Sequence, residues 1–237
     1  MNNIYFVMPA YNEADNIEVT IRQWHPIVEK LVQSGHQARL VIANDGSSDN
    51  TYAIMQTLRS QFPLLEPLDK PNSGHGATVL HLYRYAIELG VDYIFQTDSD
   101  GQTAPEEFWQ MWEQRDKYDF QIGHRKGRED GFSRVVVTKT LRFIVWLMFH
   151  EWVVDANTPF RLMRSDKLKT ILEVIPQNFF LSNVAIAAIA TKWHYHIGWP
   201  EITFKPRQGG INSINMKRII KIGWKALKDF RQLNNKL

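Results

Sequence analysis

The chain has 237 residues, a net charge of +3 and no cysteine. It is long enough for one large domain with a real core. Hydrophobic residues at 44% and charged residues at 22% exclude a disordered, collagenous or coiled-coil chain. The absence of cysteine excludes a disulfide scaffold, a thiolate metal site and a cysteine nucleophile. The N-terminal run is too short and not basic enough for a secretion signal. The longest apolar stretch, Phe143 to Phe149, is far below the roughly twenty residues that span a bilayer. Charge is uneven. Lys205 to Leu237 holds nine Lys or Arg against Asp229, a local +8 that leaves −5 on the rest. A basic tail on an acidic body fits an anionic partner, or a solvated helix face.

In chain order, Ile4 to Met8 reads as a strand and Asp15 to Ser34 as a helix with Ile17, Ile21, Trp24, Val28, Leu31 and Val32 on one side. Arg39 to Ala43 is a second strand, closed by Asn44-Asp45-Gly46-Ser47, and Asp49 to Gln61 a helix. Ser73 to Gly76 is a small glycine-rich turn, followed by a helix to about Leu89. Asp92 to Gln96 is a strand ending at Thr97-Asp98-Ser99-Asp100, Pro105 opens a helix, and Phe120 to Gly123 is another strand. Strand–turn–helix units predict a mainly parallel sheet whose ligands bind beyond the strand carboxyl ends. Four polar clusters fall there: Ala10 to Glu13, Asn44 to Ser47, Asp98 to Gln102 and His124 to Lys126. Further on, Phe132 to Val154 mixes helical spacing with dense aromatics, Asp155 to Arg164 is a loop entering a strand, and Phe179 to Trp193 is a buried helix. His194 and His196 alternate as strand residues do, Glu201 to Pro206 is a strand, and Ser213 to Leu233 is a basic amphipathic helix.

Asp98 and Asp100, one residue apart at a strand end, suit a shared Mg²⁺ or Mn²⁺ and through it phosphate oxygens. A turn with helix-capping acids would show the same pattern. Acids beyond the first two strands can accept hydrogen bonds from a base or ribose, and Tyr11 can stack on the base. Asp45-Gly46 also suits a tight turn, and Ser48 or Asp49 a helix cap. His75 sits in the glycine-rich turn, where it can approach a diphosphate.

The segments VMPAYNEADNI, VIANDGSSDNT, NSGHGATV and QTDSDGQ, in this order, resemble family 2 glycosyltransferases of the GT-A nucleotide-sugar fold over about residues 3 to 215. The resemblance implies an α/β fold with a mainly parallel central sheet flanked by helices. Residues 1–212 would form the transferase domain, with a nucleotide-sugar half over 1–125 and an acceptor half over 126–212. Residues 213–237 would be the basic helix. Pro9, Tyr11, Glu13 and Asp45 would contact the donor nucleoside, and Asp98 and Asp100 the metal (Mg²⁺ or Mn²⁺) and diphosphate. Asn44 stands where the family often has a second Asp.

Within the family, Asp98-Ser99-Asp100-Gly101-Gln102 and Gly123-His124-Arg125 are similar to segments of the dolichyl- and polyprenyl-phosphate sugar synthases. So are Arg134-Val-Val-Val-Thr138, Asp155 to Arg164 and the segment from Arg207 to Ser213. By this likeness Asp100, Gln102 and Arg125 border the reaction centre. Arg134, Thr138 and Lys139 hold the acceptor phosphate, and Arg207 reaches the donor diphosphate. The implied activity is inverting transfer of a sugar to a polyprenyl-type lipid phosphate, on the cytoplasmic face of the membrane. A phosphate acceptor needs no general base, and Ser182-Asn183 stand where many hydroxyl-directed relatives carry an acidic pair. Glu151 or Asp155 remain alternatives for such a base.

The second reading is a family 2 enzyme acting on a glycan hydroxyl in capsule or lipopolysaccharide assembly. The intact Asp98-Ser99-Asp100 argues against a non-catalytic binder, and the acidic body against nucleic acid. Two aromatic-rich segments, Leu141 to Val154 and the stripe Met216, Ile220, Trp224, Leu227, Phe230, suit a peripheral membrane contact. Packing onto the protein's own core or onto a second subunit, in a homo-oligomer, would use the same stripes.

Overall fold

The structure, a computed structural model, describes residues 1–125, 143–205 and 216–235, with only the backbone described over 216–222. Its centre is a seven-stranded sheet in the order β3-β2-β1-β4-β7-β5-β8 among the described residues. The strands are β1 (Asn3–Ala10), β2 (Gln37–Asp45), β3 (Leu65–Lys70), β4 (Tyr93–Thr97), β5 (Phe120–Ile122), β7 (Phe160–Arg164) and β8 (Ile197–Gly198). A separate ribbon joins β6 (His124–Arg125) to β9 (Glu201–Ile202).

β3, β2, β1 and β4 run parallel, so Lys70, Asp45, Ala10 and Thr97 end on one edge. The chain works outward from β1 through β2 to β3, then returns to place β4 on the other side of β1. That reversal opens a crevice beyond the carboxyl ends of β1 and β4, where open α/β sheets bind ligands.

Both sheet faces are covered, which explains the near-continuous apolar runs of β1 and β2. Ile4, Phe6 and Met8 of β1 face one core layer with α1 (Ile17–Gln33) and α2 (Thr51–Leu58). Val7, with Val41 and Ala43 of β2, faces the other, built on α3 (His75–Glu88), α6 (Ser165–Val174) and α7 (Ser182–Lys192). Every residue of α7 from Ser182 to Ala190 is buried, as expected of a helix that is apolar all round. α8 (Met216–Asn234) adds Ala226, Phe230 and Leu233 to this second core.

Several elements differ from the sequence expectations. β3 is an additional strand at the sheet edge, where Pro67 and the charges of its LEPLDK sequence are tolerated. α6 is an additional helix that buries Leu168, Ile171 and Leu172. β7 enters antiparallel between β4 and β5, so the sheet is mixed on that side. The helix after Pro105 is a 3₁₀ turn (Pro105–Glu107) followed by the short α4 (Phe108–Trp112). His194 is in a left-handed turn with φ 55°, not in a strand. The strand expected over Glu201 to Pro206 shortens to β9, with Phe204 bridging Thr103.

Candidate donor and acceptor site

A cavity of about 380 Å³ opens at the β1/β4 crevice. Its wall includes Pro9, Tyr11, Glu13, Asp45, Asp98 and Asp100, so six of the expected donor and metal residues converge from three strand ends. Ala10, Asn72, Gly74, His75 and Ser99 complete it. The size is ordinary for a small-molecule site.

The loops around this cavity are tied to one another. Ser99 is buried and its hydroxyl donates to the Pro9 carbonyl at 2.9 Å, while Thr20 donates to the Ser99 carbonyl at 3.0 Å. The middle residue of Asp98-Ser99-Asp100 is therefore a pin between β4, β1 and α1. Asn12 takes a left-handed φ of 54°, a conformation asparagine tolerates better than most residues. Its backbone N–H donates to Ser47 Oγ at 3.0 Å and its Oδ1 accepts from Ser48 N–H at 2.9 Å. Asp49 accepts from the backbone of Ala14 at 3.1 Å and of Thr51 at 3.0 Å. The segment from Ser47 to Thr51 thus holds the Tyr11–Ala14 loop in place.

Asp98 Oδ1 faces His75 Nε2 at 3.0 Å and accepts from Gln96 Nε2 at 3.2 Å, while Oδ2 carries no hydrogen bond among the described residues. The Gln96 carbonyl accepts from Tyr83 and from Asn183, each at 3.3 Å, which fixes which way its amide points. Partial burial opposes a charged His75, but Asp98, with Asp100 and Asp45 beyond, outweighs it and raises the imidazole pKa. Asp100 Oδ1 accepts from the Gln102 backbone N–H at 3.2 Å across a turn whose glycine, Gly101, has φ 71°. The Gln102 side chain is buried and donates to the Lys205 carbonyl at 2.8 Å, clamping the later segment to the β4 loop.

Two carboxylates on one wall, with an oxygen of Asp98 left over, fit a hard divalent cation. No group of three or more potential protein ligands forms among the described residues. A cation here would draw its remaining ligands from water and phosphate oxygens, the habit of Mg²⁺ and Mn²⁺ in nucleotide sites.

Asp45 also lines the cavity and is buried. Its Oδ1 accepts from Lys70 Nζ at 2.5 Å and from Ser73 N–H at 2.9 Å, and its Oδ2 from Gly74 N–H at 2.9 Å. Burial alone would raise its pKa, but the bonds from Lys70, Ser73 and Thr78 overcome that and hold it below the ordinary 3.8. Two glycines permit this close packing. Gly46 has φ 62°, and a Cβ there would meet Asn72 N at 2.7 Å. A Cβ on Gly76 would strike the Phe180 carbonyl, with Phe179 O at 2.6 Å. The sequence placed Asn72 and Ser73 in the segment NSGHGATV but gave no role at Asp45 to them or to Lys70. They belong to β3 and the turn after it, and a basic residue closing an edge strand beside a glycine-rich turn was the available signal.

Arg125 has both arms on Asp155, Nε to Oδ2 and Nη2 to Oδ1, each at 2.8 Å, and its guanidinium lies over the Phe204 ring at 5.0 Å. Behind this pair Arg161 is wholly buried. It donates to three backbone carbonyls, Thr158 at 2.7 Å, Ala156 at 2.6 Å and Asn183 at 2.8 Å. Desolvation lowers its pKa to about 10, so it remains a cation. Arg161, missed in the sequence, shapes the loop that carries Asp155 and joins it to α7. Arg134, Thr138, Lys139 and Arg207 lie outside the described residues.

The aromatic segments divide. In α5 (143–149) and the loop after it, Phe149 and Val153 are buried, whereas Phe143, Trp146, Leu147 and Trp152 are 42–62% exposed. On α8 the expected single stripe splits, with Phe230 buried and Trp224 71% exposed. The two are six residues apart, and at about 100° per residue they stand roughly 120° apart around the helix.

The family model for glycosyl transferase family 2 matches residues 5–172. A UDP-N-acetylglucosamine–dolichyl-phosphate N-acetylglucosaminyltransferase from Methanococcus voltae is 26% identical, covering 82% of this chain and 82% of its own length. A polyprenol monophosphomannose synthase from Mycolicibacterium smegmatis is 24% identical over 90% of this chain and 81% of its own. Among solved structures, glucosyl-3-phosphoglycerate synthase from Mycobacterium tuberculosis, in complex with Mn²⁺, UDP and glucosyl-3-phosphoglycerate, aligns with TM-score 0.72 at 14% identity, over 99% of this chain and 80% of that one. Mannosyl-3-phosphoglycerate synthase from Rubrobacter xylanophilus aligns with TM-score 0.68 at 12% identity, over 99% and 75%. These structural likenesses concern the fold. With the family model matching most of its length, the chain belongs to glycosyl transferase family 2 and is a glycosyltransferase of the GT-A fold.

Proposed function

We propose that the protein transfers a sugar from a nucleotide donor to a polyprenyl-type lipid phosphate, with inversion at the anomeric carbon. The donor nucleoside occupies the Asp45 end of the cavity, between Pro9, Tyr11 and Glu13. The diphosphate lies toward Asp98 and Asp100, with Arg207 reaching it. Those two carboxylates hold a divalent cation, Mg²⁺ or Mn²⁺, which when bound neutralises charge on the departing diphosphate. An acceptor phosphate oxygen attacks the anomeric carbon from the face opposite the diphosphate. The carbon–oxygen bond to the diphosphate breaks, and the nucleoside diphosphate leaves. Gln102 and Arg125 border this centre, Gln102 by fixing the loop of Asp100 and Arg125 through its pairing with Asp155.

The observation that carries the acceptor class is the bidentate Arg125–Asp155 pair. A hydroxyl acceptor needs a carboxylate able to take its proton, whereas a phosphate oxygen is already anionic. Asp155 has both oxygens committed to a cation. α7 opens with Ser182 and the buried Asn183, whose amide is committed to Gln96. Relatives named for dolichyl- and polyprenyl-phosphate transfer support the same reading.

Arg134 and Thr138, four apart, and Lys139 are the proposed acceptor-phosphate clamp. Arg134→Ala should raise the acceptor KM at least tenfold and leave the donor KM within about twofold, since loss of a charged hydrogen bond is worth roughly 1.5–3 kcal/mol. Steady-state kinetics with each substrate varied will check this. A changed donor KM with an unchanged acceptor KM would contradict it.

The domain and location follow the same reading. Residues 1–212 carry donor and acceptor functions, divided near 125, and α8 presents its basic side to the cytoplasmic face of the membrane. No described helix is long and apolar enough to cross a membrane. The exposed Phe143, Trp146, Trp152 and Trp224 would rest in the headgroup region, with Lys225, placed 5.2 Å from the Phe180 ring, and Lys228 beside them. Each basic residue near an anionic leaflet adds about 1 kcal/mol. The protein should therefore sediment with anionic vesicles at low salt and release as salt rises. Charge reversal at Lys217, Lys221 and Lys225 should weaken binding. No binding at low salt would leave these aromatics as a subunit contact, read out as a homo-oligomer by light scattering.

A further inference from the structure

Behind Asp98 a buried polar network reaches from the cavity to α7. Gln96 of β4 pairs in register with Arg161 of β7. Both side chains converge on Asn183, in the first turn of α7. Arg161 Nη1 donates to the Asn183 main-chain carbonyl at 2.8 Å, and Asn183 Nδ2 donates to Gln96 Oε1 at 3.3 Å. The Tyr83 hydroxyl lies 3.3 Å from Gln96 Oε1 and 3.4 Å from Asn183 Oδ1, with one hydrogen to give. Tyr83, Gln96, Arg161 and Asn183 are each at most 3% exposed, so water does not replace a missing partner.

A carboxamide has its acceptor on one side and its donors on the other. With Asn183 and Tyr83 on the oxygen of Gln96, Nε2 faces away from α7, and it donates to Asp98 Oδ1 at 3.2 Å. Asp98 stands two residues after Gln96, so the two side chains leave the chain on the same side. His75 takes the same Asp98 oxygen at 3.0 Å, which leaves Oδ2 to a cation. Were the Gln96 amide reversed, its carbonyl oxygen would meet the carboxylate and Asp98 would turn away. Asn183 holds the amide against that reversal, although it is no part of the cavity wall. Asparagine can donate to Gln96 and accept from Tyr83 at once. Aspartate can only accept, and leucine can do neither.

We propose that Asn183 is a positioning residue for the cation site: through Gln96 it sets the orientation of Asp98, so the first turn of α7 governs how tightly the divalent ion is held. This inference rests on the proposed cation at Asp98 and Asp100.

Mn²⁺ titration of the whole protein, followed by the electron paramagnetic resonance signal of the free ion, tests this without donor or acceptor. Groups that orient a metal ligand typically change metal affinity by roughly 10–100-fold when lost, so Asn183→Leu should weaken Mn²⁺ binding about tenfold. Asn183→Asp should weaken it at least as much, because Gln96 Nε2 would turn to the new carboxylate and present its oxygen to Asp98. Gln96→Met removes the link itself and should match Asn183→Leu. Combining Asn183→Leu with Gln96→Met should weaken binding no further than Gln96→Met alone, to within about twofold, since both changes break one link. The combined variant sets two apolar side chains against each other, so it should resist urea better than Asn183→Leu, which leaves a buried amide unpaired. Stability that recovers while Mn²⁺ affinity does not is the signature of positioning.

Mn²⁺ affinity within about twofold of the unaltered protein in a folded Asn183→Leu or Asn183→Asp variant would overturn the inference. So would affinity that recovers together with stability in the combined variant. Mn²⁺ binding that Asp98→Ala does not weaken, or no binding by the unaltered protein, would instead overturn the cation site.

Discussion

Replacing Asp98 or Asp100 with alanine is expected to reduce sugar transfer by about 10²–10³-fold or more while the protein remains folded. Both carboxylates line the cavity at the β1/β4 crevice, the proposed donor site. Asp98 is oriented by two nitrogens on one oxygen, which leaves the other oxygen for a ligand. In the proposed mechanism, removing either acid would take away half of the protein's contribution to the cation and to charge balance at the leaving diphosphate. Asp98→Ala also strips His75 and Gln96 of their common partner, so it should be the more damaging of the two. Turnover numbers, circular dichroism and Mn²⁺ affinity measured on both variants will decide. Near-normal turnover by either variant, or full activity of the unaltered enzyme in EDTA, would refute the role.

The second large effect concerns stability. Arg161→Ala should cost on the order of 3 kcal/mol or more in unfolding free energy. The guanidinium is fully buried and serves three carbonyls, on Ala156, Thr158 and Asn183. Each charge-assisted bond is worth roughly 1.5–3 kcal/mol, and truncation leaves three buried acceptors unpaired. Burying the cation has its own desolvation cost, so Arg161→Met should be less harmful than Ala, because it fills the space without a charge. Urea unfolding of both variants measures this. A loss under 1 kcal/mol for Ala would mean the loop from 155 to 160 is held by something else.

The parts of the fold that could be read from sequence are those with both faces buried. β1, β2 and β4 are continuous apolar runs ending in polar turns, and their ends fixed where the cavity would be. β3 was not legible because an edge strand need not be apolar, and LEPLDK carries a proline and three charges. The antiparallel entry of β7 depends on pairing with β4 residues about 65 positions earlier, which local pattern does not encode. α8 showed the limit of a stripe read by eye. Steps of three and four residues drift around the helix, so Trp224 and Phe230 ended on different sides. Among the residues lining the cavity, Tyr11, Glu13, Asp45, Asp98 and Asp100 were legible because each stands at a strand end, and Pro9 through the family resemblance. Lys70, Gln96 and Arg161 were not, because each is an ordinary residue until the fold brings it near a carboxylate or a carbonyl.

The central claim is the acceptor. The protein, a divalent cation, a panel of UDP and GDP sugars and a short polyprenyl phosphate should yield a glycosyl phosphodiester, detected by mass spectrometry as the lipid phosphate plus one sugar, with release of the nucleoside diphosphate. The matching polyprenol, which lacks the phosphate, should give no product. Glycosylation of the polyprenol or of a glycan hydroxyl, with the lipid phosphate left unmodified, would contradict the account.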